Sequence, residues 1–334
     1  MTSSARSRAD AAAALHDIQA PVRDRLDAVS GELWRIAAGD LPLVLEINAH
    51  LAGMKGKMFR PTLVLLSSAV EERSEERAVP IAAALETLHL ASLVHDDAVD
   101  HSVLRRGMPT VNALFSHQVA VLMGDFLYAR ALTELVRLND WDVARIFADA
   151  STQITLGEMR QLGALDALAF SEADYEHLIR AKTASLFRAA CELGALCGAV
   201  AHRDALARYG ERLGMAFQVV DDLLDYTEDA EVTGKPSGLD LREHKVTLPL
   251  IAALPEFDAA ARRRVEALFA AADPDDQQVA EVIALVERHG GLEYARRQGE
   301  ARAREAEDAL SSLPDTPARA ALLDAIGYVM ERRA

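Results

Sequence analysis

Two short acidic clusters carry the strongest chemical signal in this 334-residue chain. The first is His95-Asp96-Asp97-Ala98-Val99-Asp100 and the second Asp221-Asp222-Leu223-Leu224-Asp225, both of the form Asp-Asp-x-x-Asp. On a helix, Asp96 and Asp100 stand one turn apart, about 5.4 Å along the axis, with Asp97 beside them. Like charges at that spacing destabilise a helix unless a cation lies between them. Two such clusters ask for a shared hard cation, and Mg²⁺ suits carboxylates that act together with substrate phosphates. One acidic motif alone reads more readily as a solvated face. Here a second copy recurs among apolar neighbours, which favours the metal reading.

Basic and polar residues frame the clusters. Lys57 and Arg60 lie in Lys55-Gly56-Lys57-Met58-Phe59-Arg60-Pro61, ahead of a helix predicted over 62–70. Free N–H groups at a helix start would add to their charge and make an anion site; an ordinary solvated loop is the bland alternative. Arg105-Arg106-Gly107 directly follows the first cluster and could hold phosphate oxygens bidentately, or merely compensate a helix C-terminus. Lys182-Thr183 falls in a predicted helix over 175–200, where a surface lysine is the usual outcome. Gln218 sits one turn before the second cluster amid apolar residues and must find a hydrogen-bond partner. Beyond it come Gly234-Lys235-Pro236-Ser237-Gly238-Leu239-Asp240 and Lys245-Val246-Thr247-Leu248-Pro249.

The elements that must position these groups are helical. Ile81, Leu85, Leu88 and Ser92 recur at helical spacing behind Asp96, with Pro80 placed to open the helix. A second run, 213–220, leads into Asp221. Further helices are predicted over 11–38 with a break near Pro21, 41–51, 111–138 and 141–165. Gly124, mid-helix, implies close helix packing, whereas 157–161 is uninformative by itself. The stretch 259–333 divides at Pro274, Gly290-Gly291 and Pro314. Strand signals are nearly absent, and no short fixed-period repeat suggests a solenoid. The expectation is an all-α, single-domain antiparallel bundle spanning 1–334, with residues 1–10 frayed.

Half the residues are hydrophobic but only 5% are aromatic, which suits packed helices rich in Ala, Leu and Val. A net charge of −16 argues against nucleic acid or an anionic membrane as partner. A diphosphate remains possible where metal ions and local Lys or Arg reverse the field. Cys191 and Cys197 lack CxxC spacing and give no disulfide framework, consistent with a reducing, cytoplasmic setting. No apolar run is expected to reach the length of a membrane span. Residues 1–8 lack the apolar core of a secretory signal, and Asp10 and Asp17 count against a transit peptide.

Taken together, the ordered motifs closely resemble the trans-polyprenyl diphosphate synthases of the isoprenoid synthase fold, most like bacterial long-chain members. They are Gly-Lys-x-x-Arg-Pro; His-Asp-Asp-x-x-Asp followed by Arg-Arg-Gly; Gly-Asp-Phe-Leu; Lys-Thr; Phe-Gln-x-x-Asp-Asp-x-x-Asp; and Gly-Lys-Pro-x-Gly-x-Asp-Leu with Lys-x-Thr-Leu-Pro. The match runs from about Lys55 to Pro249 and more loosely beyond. It implies helices around a deep central cavity and a homodimer. It also implies Mg²⁺ on an allylic diphosphate, held by Asp96, Asp97 and Asp100 from one wall and Asp221, Asp222 and Asp225 from the other. Arg105, Lys182, Lys235 and Lys245 match positions that grip that diphosphate. Lys57, Arg60, His89 and Arg106 match the isopentenyl diphosphate site, and Thr183 and Gln218 match polar groups near the reacting carbons. The implied reaction is a prenyl transfer: the diphosphate leaves, the allylic cation is attacked by the isopentenyl double bond, and a proton is lost.

Two residues depart from the pattern. Lys55 stands where the family often has glycine, and His244 where bacterial members usually have glycine before Lys245. The resemblance also bears on product length. The growing chain is expected to run from Asp96 back along its own helix past Ser92 and Leu88. Ala91 matches a position where bulky residues shorten the product. Ala91 and Ser92 are both small, so a long-chain product is expected; a farnesyl or geranylgeranyl diphosphate synthase is the alternative, with a floor built by residues such as Phe126, Leu127 or Phe187. A terpene cyclase would normally mix Asn, Ser and Glu into its second metal motif, and a non-catalytic partner subunit would typically lose one aspartate motif. This chain keeps six aspartates and the basic residues beside them.

Overall fold

The computed structural model describes residues 3–54, 56–162, 167–227 and 238–332, with side chains from Ala11 onward. Helix α1 (Ser3–Gln19) and α2 (Arg23–Ala37) meet at a single turn containing Pro21, and α3 (Pro42–Gly53) opens on its proline. Helix α4 (Phe59–Ser68) starts three residues earlier than the sequence suggests. Met58 adopts the left-handed region at φ 51°, and Phe59, Arg60 and Pro61 then form the first turn, where a missing N–H is harmless. Helix α5 (Ala78–Val99) carries the first aspartate cluster. By length and composition this helix could cross a membrane, contrary to expectation, with a mean hydropathy of 1.3. In the fold it is the packed core helix, flanked by α2, α4 and α7 (His117–Arg137).

Between α5 and α7 lie a two-stranded antiparallel hairpin, β1 (Leu104–Arg105) and β2 (Met108–Pro109), and the short helix α6 (Val111–Leu114). Arg106 and Gly107 turn the hairpin with φ of 52° and 76°, the mirror-image turn that matches strand twist. The single helix expected over 111–138 breaks because Ser116 is extended and its hydroxyl caps Val119 N–H. Helix α8 (Trp141–Leu162) follows, and the rest of the stretch predicted as helix to 165 lies outside the described residues.

A capping box at Ser171 and Asp174 opens α9 (Glu172–Ile179), which runs through a wide π-type turn (Arg180–Ala184) into α10 (Ser185–Leu196). The predicted helix over 175–200 is therefore three pieces, shifted towards the N-terminus. Helix α11 (Arg203–Thr227) carries the second cluster. The remaining elements are α12 (Leu239–Arg242), α13 (Leu248–Ala253), α14 (Ala259–Ala270), α15 (Asp276–Arg288), α16 (Gly291–Ala309) and α17 (Pro317–Met330). Their breaks fall at Pro274, Gly290 and Pro314, as expected.

The main core is built from α2, α4, α5, α8, α10, α11 and α17, with a second apolar cluster among α12 to α15. Gly210 and Gly214 let α11 approach α10 closely. A Cβ at Gly214 would lie 2.7 Å from Ala184 Cα, and one at Gly210 2.4 Å from Phe187 O. This contact fixes the second aspartate cluster against the wide turn that holds Lys182 and Thr183.

Candidate active site

On α5, Asp96 lies in the last turns and Asp100 closes the helix. His95, just before them, packs against Gly124 of α7, where a Cβ would sit 2.3 Å from its Nε2. The ring donates to Val121 O at 3.1 Å and lies 3.3 Å from Asp125. The His-Asp-Asp and Gly-Asp motifs are thus one joint between two helices. Buried Asp97 is held by Arg105, whose Nε lies 2.9 and 2.8 Å from its two oxygens. Burial, with the charge of Glu158 next, raises the Asp96 carboxyl to about 6.

Across from α5, a cavity of about 440 Å³ is lined by Asp100, Tyr175, Lys182, Thr183, Gln218, Asp222, Asp240 and Lys245, among others. Its floor is a hydrogen-bonded chain. Thr183 Oγ1 donates to Gln218 Oε1 at 2.7 Å, Gln218 Nε2 donates to Asp222 Oδ1 at 2.8 Å, and Tyr175 OH donates to Asp222 Oδ2 at 2.5 Å. Gln218 thereby meets the partner that its apolar setting demands. Burial, followed by the charge of Asp240, pushes Asp222 well above the usual carboxylate range. Asp225 accepts the N–H groups of Leu239 and Asp240 at 3.0 Å each and so caps α12. Burial and the adjacent Asp225 raise Asp240 to about 7.

The cations expected around the allylic diphosphate are paired with acids. Lys182 Nζ lies 2.7 Å from Glu158 Oε1 and donates to Gln161 Oε1 at 3.2 Å. Lys245 Nζ lies 2.7 Å from Glu243 and 3.6 Å from Asp100. Burial lowers the Lys245 pKa most, but Glu243, Asp100 and Asp240 together outweigh it and raise it. Lys235 lies outside the described residues, as does Lys55.

A second, mainly basic cluster lies at the start of α4, with the buried carboxyl of Glu86 close to Arg60 and Arg106. Arg60 stacks 4.9 Å over the Phe187 ring and its Nη1 lies 3.0 Å from His89 Nε2. Because a guanidinium only donates, that nitrogen carries the lone pair and His89 is neutral. Burial, then the charge of Arg60, lowers His89 well below its ordinary value, in agreement. Burial lowers Arg60 to about 10, and its Nε is buried without a hydrogen-bond partner. Arg106 reaches in from the hairpin turn, with Nη1 on Met54 O at 3.0 Å. Lys57 Nζ stands 5.8 Å over the Tyr328 ring. Arg332 stacks 4.1 Å over Phe217, and its Nη1 lies 2.8 Å from Asp221 Oδ1, off the line of a hydrogen bond. Buried cations with an unmet donor are what an anion site requires.

The donor set also fits a hard divalent ion. Among the described residues, no three His, Cys, Asp or Glu side chains converge closely enough to enclose an ion by themselves. One or two carboxylates completed by substrate phosphate oxygens is the usual Mg²⁺ arrangement.

The family model described as polyprenyl synthetase matches residues 42–286. The chain belongs to this family. It is 38% identical over 318 residues to the all-trans-nonaprenyl-diphosphate synthase (geranyl-diphosphate specific) of Rhodobacter capsulatus, across 95% of this chain and 97% of that protein. It is 35% identical to a short chain isoprenyl diphosphate synthase of Methanothermobacter thermautotrophicus, across 86% and 90% of the two chains. The fold superposes with a TM-score of 0.90 on a polyprenyl synthase from Caulobacter crescentus CB15 complexed with calcium and isoprenyl diphosphate. That protein is 33% identical, over 96% of this chain and 98% of that one. The chain is therefore a prenyltransferase with the all-α isoprenoid synthase fold.

Within this polyprenyl synthetase, Leu88 is buried in the main core. Ala91 is buried in a separate apolar cluster with Ile47 and Leu51 of α3 and Met123 and Leu127 of α7. Ser92 is half-buried and donates to His89 O. Phe126 is half-buried near Gly39, and Phe187 lies under Arg60 in the main core. Sequence reasoning passed over Glu158, Gln161, Tyr175, Arg332 and the role of Asp240. Glu158 and Gln161 lie in the stretch 157–161 that is uninformative by itself, and only the packing of Gly157 against Lys182 shows their place beside the site.

Proposed function

We propose that this enzyme condenses isopentenyl diphosphate with an allylic diphosphate and releases a long-chain all-trans polyprenyl diphosphate. The observation that carries the reading is the pairing of two unlike sites. The acid-lined cavity between α5 and α11 is matched by a separate, mainly basic cluster at Arg60, Arg106 and Lys57. A cyclase, with one diphosphate to hold, has no use for the second site.

Asp96, Asp97 and Asp100 on one wall and Asp221, Asp222 and Asp225 on the other would hold Mg²⁺ together with the allylic diphosphate. Bound there, Mg²⁺ supplies neutralisation of the charge that develops on the leaving group. Arg105, Lys182 and Lys245 contribute to the same neutralisation as fixed cations, with Lys235 proposed alongside them. Thr183 and Gln218 present oxygen and amide dipoles where the allylic carbons would lie. Lys57, Arg60, His89 and Arg106 anchor isopentenyl diphosphate so that its double bond faces that carbon, a gain in orientation. The departed diphosphate takes the proton lost from the isopentenyl unit.

The small pair Ala91 and Ser92 supports a long product, as does similarity to a nonaprenyl-diphosphate synthase. A short-chain reading is favoured by the apolar side chains that already fill the space around Ala91, and by similarity to a short-chain enzyme. The deciding experiment incubates the protein with labelled isopentenyl diphosphate and each allylic starter, then sizes the products. A longest product at farnesyl or geranylgeranyl diphosphate rejects the long-chain reading. Under that reading Ala91→Tyr shortens the product.

The whole chain is read as one polyprenyl synthase domain working as a homodimer. Exposed apolar residues on α7 (Leu122, Val136) and α8 (Leu156, Met159, Leu162) support a face covered by a second copy. Cys191 and Cys197 are free, buried thiols raised to about 12 by burial, which fits a reducing cytoplasm.

A further inference from the structure

Helix α12 ends in a tightly specified stop. His244 N–H donates to Leu241 O at 3.1 Å, and Lys245 N–H donates to Asp240 O at 2.7 Å. Between them His244 holds the left-handed region at φ 55°. This is the paired 5→2 and 6→1 pattern of a Schellman motif, whose left-handed position normally takes glycine because a Cβ is strained there. A histidine at that position needs something to hold it. Its Nε2 lies 2.9 Å from Ala271 O, so the ring donates to the carbonyl that follows α14. The same ring tilts against Phe269, centroids 5.7 Å apart. The imidazole thus ties the turn to the end of α14, an element distant in sequence.

The tied turn lines the cavity with Asp240, Glu243, His244 and Lys245. Asp240 precedes it on α12, and Lys245 follows it, facing Asp100 across the opening at 3.6 Å. Leu241 and Val246, either side of the turn, are buried with Val265 and Leu268, and Arg242 bonds to Pro274 O and Asp276, which anchors the helix; His244 is the tether at the left-handed position itself. We infer that His244 is a positioning residue, whose bond to Ala271 O and contact with Phe269 fix the left-handed turn and thereby aim Lys245 into the cavity. The inference rests on the reading of Lys245 as a cation that grips the allylic diphosphate.

The test compares full-length wild type, His244→Gly, His244→Ala and Lys245→Ala in steady-state kinetics, thermal melting and hydrogen exchange over 239–247. Glycine suits the left-handed turn, so His244→Gly is expected to fold and to melt no lower than wild type. Its kcat nevertheless falls about tenfold, the scale of a displaced positioning group, with the KM for isopentenyl diphosphate unchanged. Amide exchange at Lys245 speeds up in the same variant. His244→Ala, which keeps the strain and loses the tether, shows the same kinetic loss and a lower melting temperature. Wild-type kcat and exchange in His244→Gly, beside an impaired Lys245→Ala, would overturn the positioning role alone. Wild-type kinetics in Lys245→Ala would instead remove the reading of Lys245, and the inference with it.

Discussion

Asp96 shows how far one side chain can be pushed by its setting. Burial and Glu158 hold its carboxyl at about 6, against 3.8 for a free aspartate. The folded protein then binds more protons at this site than the unfolded chain between about pH 4 and pH 6, so its contribution to stability falls as pH rises through that window. Asp96→Asn, measured in chelator by denaturant titration, should be nearly neutral at pH 4 and stabilising by about 1–3 kcal/mol at pH 7. A relative stability that does not move with pH would sink this account. Under the proposed assignment the two diphosphate sites should separate kinetically. Lys57→Ala should raise the KM for isopentenyl diphosphate, whereas Lys182→Ala should lower kcat, each by about 10- to 100-fold. Interchangeable kinetics would show the residue assignments to be wrong at one site or both. At this scale the proposed aspartates and most of the proposed cations were legible as candidates, because their types and order are unusual. The sequence did not disclose Tyr175 or Arg332, since a tyrosine on Asp222 and an arginine on Phe217 become partners only when distant helices meet.

The placing of Thr183 beside Gln218 depends on two helices approaching through glycine. At Gly214 a Cβ would meet Ala184 Cα at 2.7 Å and Phe187 Cβ at 2.9 Å, and neither backbone nor Cβ can swing aside. Gly214→Ala should therefore destabilise by about 1–3 kcal/mol through overpacking, and lower kcat as the Thr183–Gln218 bond stretches. An unchanged melting temperature would contradict the packing described. Element types were legible because 3.6-residue periodicity and proline or glycine breaks are local signals. Two interruptions were not. The break at Ser116 needs a serine chosen as a cap over one left inside a helix, and the wide turn at 180–184 leaves no compositional mark.

For the whole molecule, the apolar helix α5 is read correctly only with its neighbours in place. The same 22 residues that could cross a bilayer by length are, in the bundle, the surface on which α2, α4 and α7 pack. Hydropathy alone does not separate these outcomes. Exposed Leu122 and Met159, both above 60% accessible, raise the opposite question of what covers them. In the proposed dimer they are interfacial, so Leu122→Glu combined with Met159→Glu should sediment as monomer where wild type sediments as dimer. A monomeric wild type would remove that proposal.

The ion pairs within the site bear on turnover under the proposed reading. Asp97 pairs with Arg105, Glu158 with Lys182 and Asp221 with Arg332, while Lys245 lies between Glu243 and Asp100. If these cations grip the diphosphate as proposed, its binding displaces Glu158 from Lys182 and Glu243 from Lys245, and both acids can reclaim them. Inorganic diphosphate, the spent fragment of every elongation round, therefore meets an internal competitor each time it is formed. Such competition would favour ejection of the small anion between rounds of addition. Glu158→Gln, which frees Lys182 from its rival, should make inorganic diphosphate an inhibitor about tenfold tighter, and should shorten the average product by stalling each round. Unaltered inhibition in that variant would mean that the pairs take no part in clearing the site.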